Sequence, residues 1–448
     1  MFWIRSCLAL AIGFGFSIAA GADDLEKHWH QWRGPGGNGV AASAQPPLEW
    51  AHDSKNLKWK TVIPGKGSSS PVVWGDRIFV LTAVETDRTG EAAGTKPDGD
   101  GNDRGRRGRR RRPAPTNYYE FRVVCIDRDT GNQLWSTTVN EAIPHESGHS
   151  TNTFASASPV TDGERVYAHF NSFGLYCLDM EGRVLWDRQF GKMQTRAAFG
   201  EGASPGLYGD TLVVNWDHEG QSFIEALDAS TGETKWKTDR DEPTSWSTPA
   251  FAEYDGGVQV ITNGATRVRS YDLSNGKLIW ECGGQTGNPV PTPMVIDDMA
   301  ICMTGFRASA AYAIPLGSKG DVTNTDQVVW SRQDIGPYVP TGVLYEGQIY
   351  STRQGSPVLT AIDAANGQTI IDKSRLDGIR TIYASLVAAN GHVYVTGRSG
   401  KTVVLKHGPE LQVVATNDLG EPVDATPALV DNQIIIRGDT RLFCFEAN

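Results

Sequence analysis

Apolar and polar positions along this chain repeat at an interval near 44 residues. Each repeat begins with Ser or Thr, usually followed by Pro, then a few apolar residues, a polar turn and a short β-branched or aromatic run, as in Ser70–Val80. The eight repeats start at Ser70, Ser158, Ser204, Thr248, Thr292, Thr341, Ser385 and Thr426. Short apolar runs between turn residues are typical of β-strands, and a repeat of this length with four such runs is typical of a propeller blade.

A second pattern ends most repeats: an apolar strand, Asp, a Thr-Gly or Asn-Gly turn, and then Trp. In the fullest copy, Ala226–Trp236, Gly232 supplies the positive φ of a tight hairpin and Asp228 caps the turn. The Trp is expected on the outermost strand, where its ring fills the space between two blades. Repeats six and seven lack this Trp, with Ile371 in its place in repeat six, so we expect looser seams there. The predicted structural tryptophans are Trp59, Trp135, Trp186, Trp236, Trp280 and Trp330.

The last repeat ends after its third strand, at Phe443–Glu446, and Lys55–Lys60 near the N-terminus resembles the missing fourth strand. The sequence therefore predicts an all-β, eight-bladed β-propeller with four-stranded antiparallel blades, in which the N-terminal strand closes the last blade. Closure pairs edge strands that would otherwise be open to aggregation. Residues 23–448 are expected to form this single domain.

The first two repeat starts lie 88 residues apart, which indicates an insertion over residues 85–116 in blade 1. Its centre contains seven arginines between Arg104 and Arg112 and few apolar residues, so we expect a disordered loop. Two interpretations stay open: a solvated loop, or contact with anionic lipid, a cell-wall polymer or, least favoured, RNA.

Residues 1–22 have the pattern of a secretory signal, with Arg5, an apolar run over Leu8–Ala20 and a small-residue cleavage site. Cys7 precedes the apolar run, whereas a lipoprotein cysteine would follow it. The formal net charge of −10 argues against general nucleic-acid binding. We therefore expect a periplasmic or secreted monomer, with membrane or envelope contact through the Arg-rich insertion as a further hypothesis.

Five cysteines follow the signal segment. Cys125, Cys177 and Cys444 occupy the same third-strand position in different blades, which is too far apart for a disulfide, so they are predicted to be small buried hydrophobes. Cys282 and Cys302 lie in adjacent blades, and for them the sequence leaves both a disulfide and two free thiols open.

The segment Ala226–Trp236 resembles the tryptophan docking motif of the PQQ-like β-propeller repeat family at every defined position, and the copies ending at Trp135 and Trp280 match it in part. Three groups look like this: quinoprotein dehydrogenases, the propeller subunit of the outer-membrane β-barrel assembly machine, and exported bacterial PQQ-binding-like propellers. The opening His30–Pro35, followed by Gly39 and Val40, resembles the third group most closely.

The resemblance leaves two functions open. The first hypothesis is a non-catalytic exported scaffold that binds a protein or anionic ligand on the face formed by its longer loops. The alternative is a PQQ-dependent dehydrogenase that oxidises an alcohol or sugar with a Ca²⁺-bound quinone. This chain has no adjacent cysteine pair and no Cys-x-x-Cys-His haem motif, and no catalytic residue can be assigned. These departures favour the scaffold.

Candidate ligand residues fall in the loops between outer and inner strands and in the turns between second and third strands, which share one face of a propeller. The first set is Arg196, Glu201, Asp217, His218 and Glu219. His145, His149, Asp217 and His218 are residue types that ligate metals, although loop hydrogen bonds and caps are the favoured explanation.

Arginines recur in the turns of repeats four to eight, at Arg267, Arg307, Arg353, Arg398 and Arg437. Together they would form an arc of guanidinium groups suited to a carboxylate or phosphate. The alternative is that each arginine pairs with an acidic residue of the neighbouring blade.

Overall fold

The computed structural model describes residues 25–92 and 113–447. It contains eight antiparallel sheets arranged as the blades of a β-propeller, which confirms the predicted fold. We letter the strands of each blade A to D from the axis outwards and call the face with the D–A and B–C connections the loop face. No helix in the described residues is both long enough and apolar enough to cross a membrane. The predicted signal segment lies outside the described residues.

The first four blades follow one another along the chain. Blade 1 contains β2 (Val72–Trp74), β3 (Arg77–Thr89), β4 (Asn117–Asp127) and β5 (Gln133–Ala142). Blade 2 contains β6 (Val160–Thr161), β7 (Arg165–His169), β8 (Leu175–Asp179) and β9 (Val184–Arg188). Blade 3 contains β10 (Gly206–Tyr208), β11 (Thr211–Trp216), β12 (Ser222–Asp228) and β13 (Thr234–Arg240). Blade 4 contains β14 (Ala250–Tyr254), β15 (Gly257–Thr262), β16 (Arg267–Asp272) and β17 (Leu278–Gly283).

The remaining blades complete the ring. Blade 5 contains β18 (Met294–Ile296), β19 (Met299–Thr304), β20 (Ala310–Pro315) and β22 (Trp330–Arg332). Blade 6 contains β23 (Val343–Tyr345), β24 (Gln348–Thr352), β25 (Val358–Asp363) and β26 (Thr369–Arg375). Blade 7 contains β27 (Val387–Ala389), β28 (His392–Thr396), β29 (Lys401–Lys406) and β30 (Gln412–Asp418). Blade 8 contains β31 (Ala428–Val430), β32 (Gln433–Arg437), β33 (Arg441–Glu446) and β1 (Leu57–Val62). Three short 3₁₀ turns are Asn171–Phe173, Arg196–Ala198 and Arg353–Gly355.

The N-terminal strand closes the ring as predicted. β1 pairs antiparallel with β33, with Trp59 opposite Cys444. One blade departs from the four-stranded pattern, because β21 (Gly320–Asp321), from the C–D connection of blade 5, adds to β17 of blade 4 in parallel. This addition covers part of the outer edge of blade 4.

The tryptophans lie between blades. The indole N–H of Trp59, Trp135, Trp186, Trp236 and Trp330 each donates to a backbone carbonyl in the C–D turn of the next blade, at 2.6–3.1 Å. The glycine of that turn lies against the ring, and a Cβ on Gly232 would approach Trp186 to 2.7 Å. Trp280 differs, because its N–H donates to Gln259 of its own blade, whose amide then reaches Leu316 of blade 5.

The expectation of a loose seam between blades 7 and 8 is wrong. Trp50, from the segment before β1, packs against Tyr394 of blade 7 and Phe445 of blade 8, and only 5% of it is exposed. Asn417 holds this segment by accepting from the Trp50 backbone N–H. The tryptophan missing from the repeat is therefore supplied from elsewhere in the chain. Between blades 6 and 7, Ile371 is buried.

One further expectation needs correction. Residues 85–89 are strand rather than loop, because β3 continues to Thr89 and pairs Glu85 with Tyr119. The central part of the predicted insertion, residues 93–112, lies outside the described residues. All five described cysteines are buried and free, so Cys282 and Cys302 do not form a disulfide. Cys125, Cys177 and Cys444 lie in strand C of their blades, as predicted.

Candidate functional site

A funnel-shaped cavity of about 510 Å³ lies on the propeller axis and opens at the loop face. D–A connections supply most of its mouth, including Phe199, Trp246 and Tyr383, and a B–C turn supplies Arg307. We call this cavity the funnel.

The wall of the funnel contains six of the eight residues that begin the repeats. The backbone N–H of Ser70 donates to the hydroxyl of Ser158 at 2.9 Å, and the N–H of Ser158 donates to the hydroxyl of Ser204 at 2.9 Å. The N–H of Thr426 donates in the same way to Ser70, at 3.0 Å. This hydroxyl belt joins neighbouring blades around the axis. Further links in the belt run from Thr292 to Thr341, from Thr341 to Ser385 and from Ser385 to Thr426.

Sequence reasoning missed this belt, although the signal was present. All eight repeats begin with Ser or Thr. A hydroxyl at every inner-strand start indicates a recurring hydrogen bond, and the hydroxyls at six of these positions accept one.

The segment that precedes β1 closes the end of the funnel that is opposite the loop face. The Trp29 carbonyl accepts from Val73 of blade 1. Arg33, 1% exposed, donates to the carbonyls of Leu386 and Gly342, near the inner strands of blades 7 and 6. Trp32 lies between these anchors and lines the funnel. The His30–Pro35 sequence thus forms a floor that makes the funnel blind.

Aromatic side chains surround the mouth. Phe306 and Tyr338 have ring centroids 5.0 Å apart, and His149 meets Phe199 edge to face at 5.2 Å. Thr151, in the loop after blade 1, donates to the Tyr383 hydroxyl in the loop after blade 6 at 3.3 Å. Since that contact spans the opening, the loops narrow the entrance.

Glu201 lies in the funnel wall with its side chain 10% exposed. It accepts from the backbone N–H of Ser172 at 2.8 Å and from the Ser172 hydroxyl. Burial and, to a smaller extent, the nearby Glu146 raise the pKa of Glu201 to about 8, although the Ser172 hydrogen bonds oppose the rise. The structure therefore keeps this carboxyl largely protonated at neutral pH.

Replacing Glu201 with glutamine should make the protein less sensitive to alkaline pH. The folded-state pKa near 8 lies above the ordinary 4.5, so this group's contribution to stability is fully present below about pH 4.5 and is lost as pH rises through about 8. The loss is on the order of 5 kcal/mol at most. Thermal unfolding at pH 5 and pH 9 should give a wild-type Tm that falls more than that of E201Q. Parallel Tm changes in the two proteins would contradict this assignment, and E410Q, at an exposed position, serves as the control.

The five turn arginines do not form the predicted arc. Arg437 is 3% exposed and donates to the carbonyls of Ser69 and Leu81, so it joins blade 8 to blade 1. Arg267 pairs with Glu281 and Asp321. These two guanidinium groups are therefore bound to backbone carbonyls and to neighbouring acidic side chains.

The other arginines remain on the loop face. Arg398 forms a two-bond pair with Asp424 at 2.6 and 2.9 Å and lies over the Tyr383 ring. Arg307 and Arg353 are exposed, and so is Arg196, in a D–A connection. Among the described residues, neither Arg307 nor Arg353 has an ion-pair partner. Only part of the predicted cationic set is therefore available to a ligand.

Asp217, His218 and Glu219 have structural contacts instead of facing a ligand. Asp217 is fully buried and pairs with the fully buried Arg240 at 2.7 and 3.0 Å. His218 accepts from the Gln194 N–H at 3.0 Å, and Glu219 accepts from Thr244 at 2.8 Å. These side chains hold loops together at the junction of blades 3 and 4.

The four metal-ligand candidates are not brought together. His145 contacts the Met193 carbonyl at 2.7 Å, and His149 lies apart from it, at the mouth beside Thr151. Asp217 and His218 are engaged as described above. Across residues 25–92 and 113–447, no group of three or more His, Cys, Asp or Glu side chains has the geometry of a metal site.

Comparison with known proteins places the chain in a family. Residues 120–373 match the family described as outer membrane protein assembly factor BamB. The chain belongs to this family. The match extends from strand C of blade 1 into strand D of blade 6, so the funnel floor and blades 7 and 8 lie outside the matched range.

Individual relatives agree with this assignment. The BamB of Yersinia pestis is 27% identical over 291 residues, which cover 62% of this chain and 67% of the relative. Two solved structures share the propeller fold. They are the quinohemoprotein alcohol dehydrogenase of Comamonas testosteroni (TM-score 0.61, 11% identity, 94% of this chain and 80% of that one) and a europium-containing methanol dehydrogenase (TM-score 0.60, 9% identity, 95% and 100%).

Proposed function

We propose that this BamB-family propeller is a non-catalytic binding scaffold of the cell envelope that holds a protein partner on the rim of its funnel. The rim consists of Phe199, Trp246, Phe306, Tyr338 and Tyr383 with Arg196, Arg307 and Arg353. The observation that carries the proposal is this mixture of part-exposed aromatic rings and exposed arginines on one face. Tyr, Trp and Arg are the side chains that most often dominate protein–protein binding energy.

The family description supports the same proposal. The family and the Yersinia pestis relative are both named outer membrane protein assembly factor, and this name supports a ligand that is itself a protein. The predicted export signal agrees with an envelope location. Contact of the Arg-rich insertion between β3 and β4 with an anionic surface stays a prediction.

The quinone alternative has less support from the acids of the funnel. A bound Ca²⁺ and a carboxylate base would need free acidic oxygens around the axis. Asp424 is instead paired with Arg398, and Glu201 with Ser172. The described acids of the funnel do not fit that cofactor. If the mature protein binds PQQ saturably with Ca²⁺ and then reduces a dye with alcohols or sugars, the scaffold proposal is wrong.

A charge-reversal pull-down tests the scaffold. Tagged protein carrying R196E, R307E and R353E should retain less than about a tenth of the partner that wild-type protein recovers from cell-envelope extracts, since reversed rim charges repel what they formerly attracted.

A matched control carries R183E, K277E and K319E. These three exposed cations lie in C–D connections, on the opposite face, and give the same change in net charge. The control should recover the partner as wild type does. Equal recovery by the rim variant and wild type, or loss only in the control, would place the binding surface elsewhere.

A further inference from the structure

The funnel has the dimensions and shape of a small-molecule site. Its volume of about 510 Å³ lies within the range usual for ligand pockets, roughly 300–1,000 Å³. Trp32 and the anchored Arg33 close it below, so a ligand enters from the loop face and stops inside. A protein partner bound at the rim would leave the interior of the funnel available to a smaller ligand.

The funnel wall offers hydrogen-bond donors. Six hydroxyls of the belt accept from a backbone N–H of a neighbouring blade, among them Ser70, Ser158 and Ser204. Ser385 and Thr426 accept in the same way. None of these five hydroxyls donates a hydrogen bond to any part of residues 25–92 and 113–447, and all five line the funnel. The wall therefore suits a ligand that carries several oxygen acceptors.

The charges of the funnel favour an anion. Asp424 is neutralised by Arg398, and burial raises the pKa of Glu201 to about 8, which leaves it mostly uncharged at neutral pH. Arg307 lines the funnel, lies 5.0 Å from the Phe306 ring centroid and has no acidic partner among the described residues. Its guanidinium is thus available for a carboxylate.

The aromatic rings add a requirement for a ligand with flat apolar faces. Phe199, Trp246, Phe306 and Tyr338 all line the funnel near Arg307. The C–H face of a pyranose ring packs on such rings, while the oxygens at its edge point outwards to donors. An acidic peptide would satisfy Arg307 but has no ring to pack against the aromatic side chains.

We propose that the funnel binds an acidic sugar unit, with its carboxylate on Arg307, its ring against the aromatic side chains and its hydroxyl oxygens on the Ser/Thr belt. This inference goes beyond the protein-binding function and needs no partner, so either can fail without the other.

Titration of the purified mature protein, followed by tryptophan fluorescence and calorimetry, tests this inference. Trigalacturonate should bind saturably, and the neutral maltotriose should bind at least about tenfold more weakly, because it lacks carboxylates. Benzoate, a ring carboxylate without hydroxyls, and the peptide Glu-Glu-Glu should likewise be at least about tenfold weaker.

The R307Q variant should weaken trigalacturonate binding at least about tenfold and abolish the preference over maltotriose. R183Q, an exposed arginine in the C–D turn of blade 2 on the opposite face, should bind as wild type does. No saturable binding of trigalacturonate, equal binding of the neutral sugar, tighter binding of the peptide, or unchanged binding by R307Q would each overturn the proposal. Circular dichroism checks that both variants are folded.

Discussion

Replacing Asp217 with alanine is expected to destabilise the propeller by about 3–5 kcal/mol, because it leaves the buried Arg240 guanidinium without its counter-charge. Both side chains are fully buried, and the pair is held by two hydrogen bonds. Arg240 also donates to Thr262 and Tyr271 of blade 4. The ion pair therefore fixes strand D of blade 3 against the next blade, close to the loop face.

Urea unfolding measures this effect. The exposed Asp377 provides a control, since D377A should change the free energy of unfolding by less than about 0.5 kcal/mol. A double variant with D217L and R240M should recover part of the loss, because two apolar side chains need no counter-charge. If D217A costs less than about 1 kcal/mol, the pair does not carry the stability assigned to it.

Replacing Trp50 with alanine is expected to cost about 3–5 kcal/mol, as is usual for a large aromatic removed from a packed core. Trp50 fills the seam between Tyr394 of blade 7 and Phe445 of blade 8, where the repeat supplies no tryptophan of its own. The cavity would open beside the strand that closes the ring, so amide hydrogen exchange should accelerate in blades 7 and 8 before blades 3 and 4.

Leu185 supplies the control for that experiment. It is 51% exposed on strand D of blade 2, and L185A should leave both the unfolding midpoint and the exchange pattern nearly unchanged. Uniform acceleration of exchange in all blades of the Trp50→Ala protein would contradict a local role at this seam.

Most of the fold could be predicted from the repeat, because the strand and turn signals in the repeat are local and periodic. The Gly–Trp turn places each blade against the next, and the resemblance of Lys55–Lys60 to a fourth strand correctly predicts closure through Trp59. The role of Trp50 could not be predicted because this residue belongs to no repeat. It lies between blades 7 and 8 only because of how the segment before β1 folds.

The candidate site was harder to predict because arginines at equivalent repeat positions meet different neighbours. Arg307 faces the funnel, Arg267 pairs with acids, and Arg437 turns inwards to carbonyls of blade 1. Asp217 resembled a ligand in the sequence, but its partner Arg240 is 23 residues away and only the fold reveals the pair. The position of a turn in the repeat determines where its backbone lies. The partners of an arginine in that turn depend on the side chains and carbonyls of the neighbouring blade.

Photo-crosslinking in intact cells tests the central claim, that the rim of the funnel holds a protein partner. A photoreactive amino acid would replace Tyr338 or Arg353 on the loop face and, as the comparison, Ser274 or Lys277 in the C–D turn of blade 4. The proposed scaffold predicts a discrete crosslinked protein from the two loop-face positions and none from the two opposite positions. Crosslinks from the opposite face alone, or none from either face while the protein is folded and exported, would contradict it.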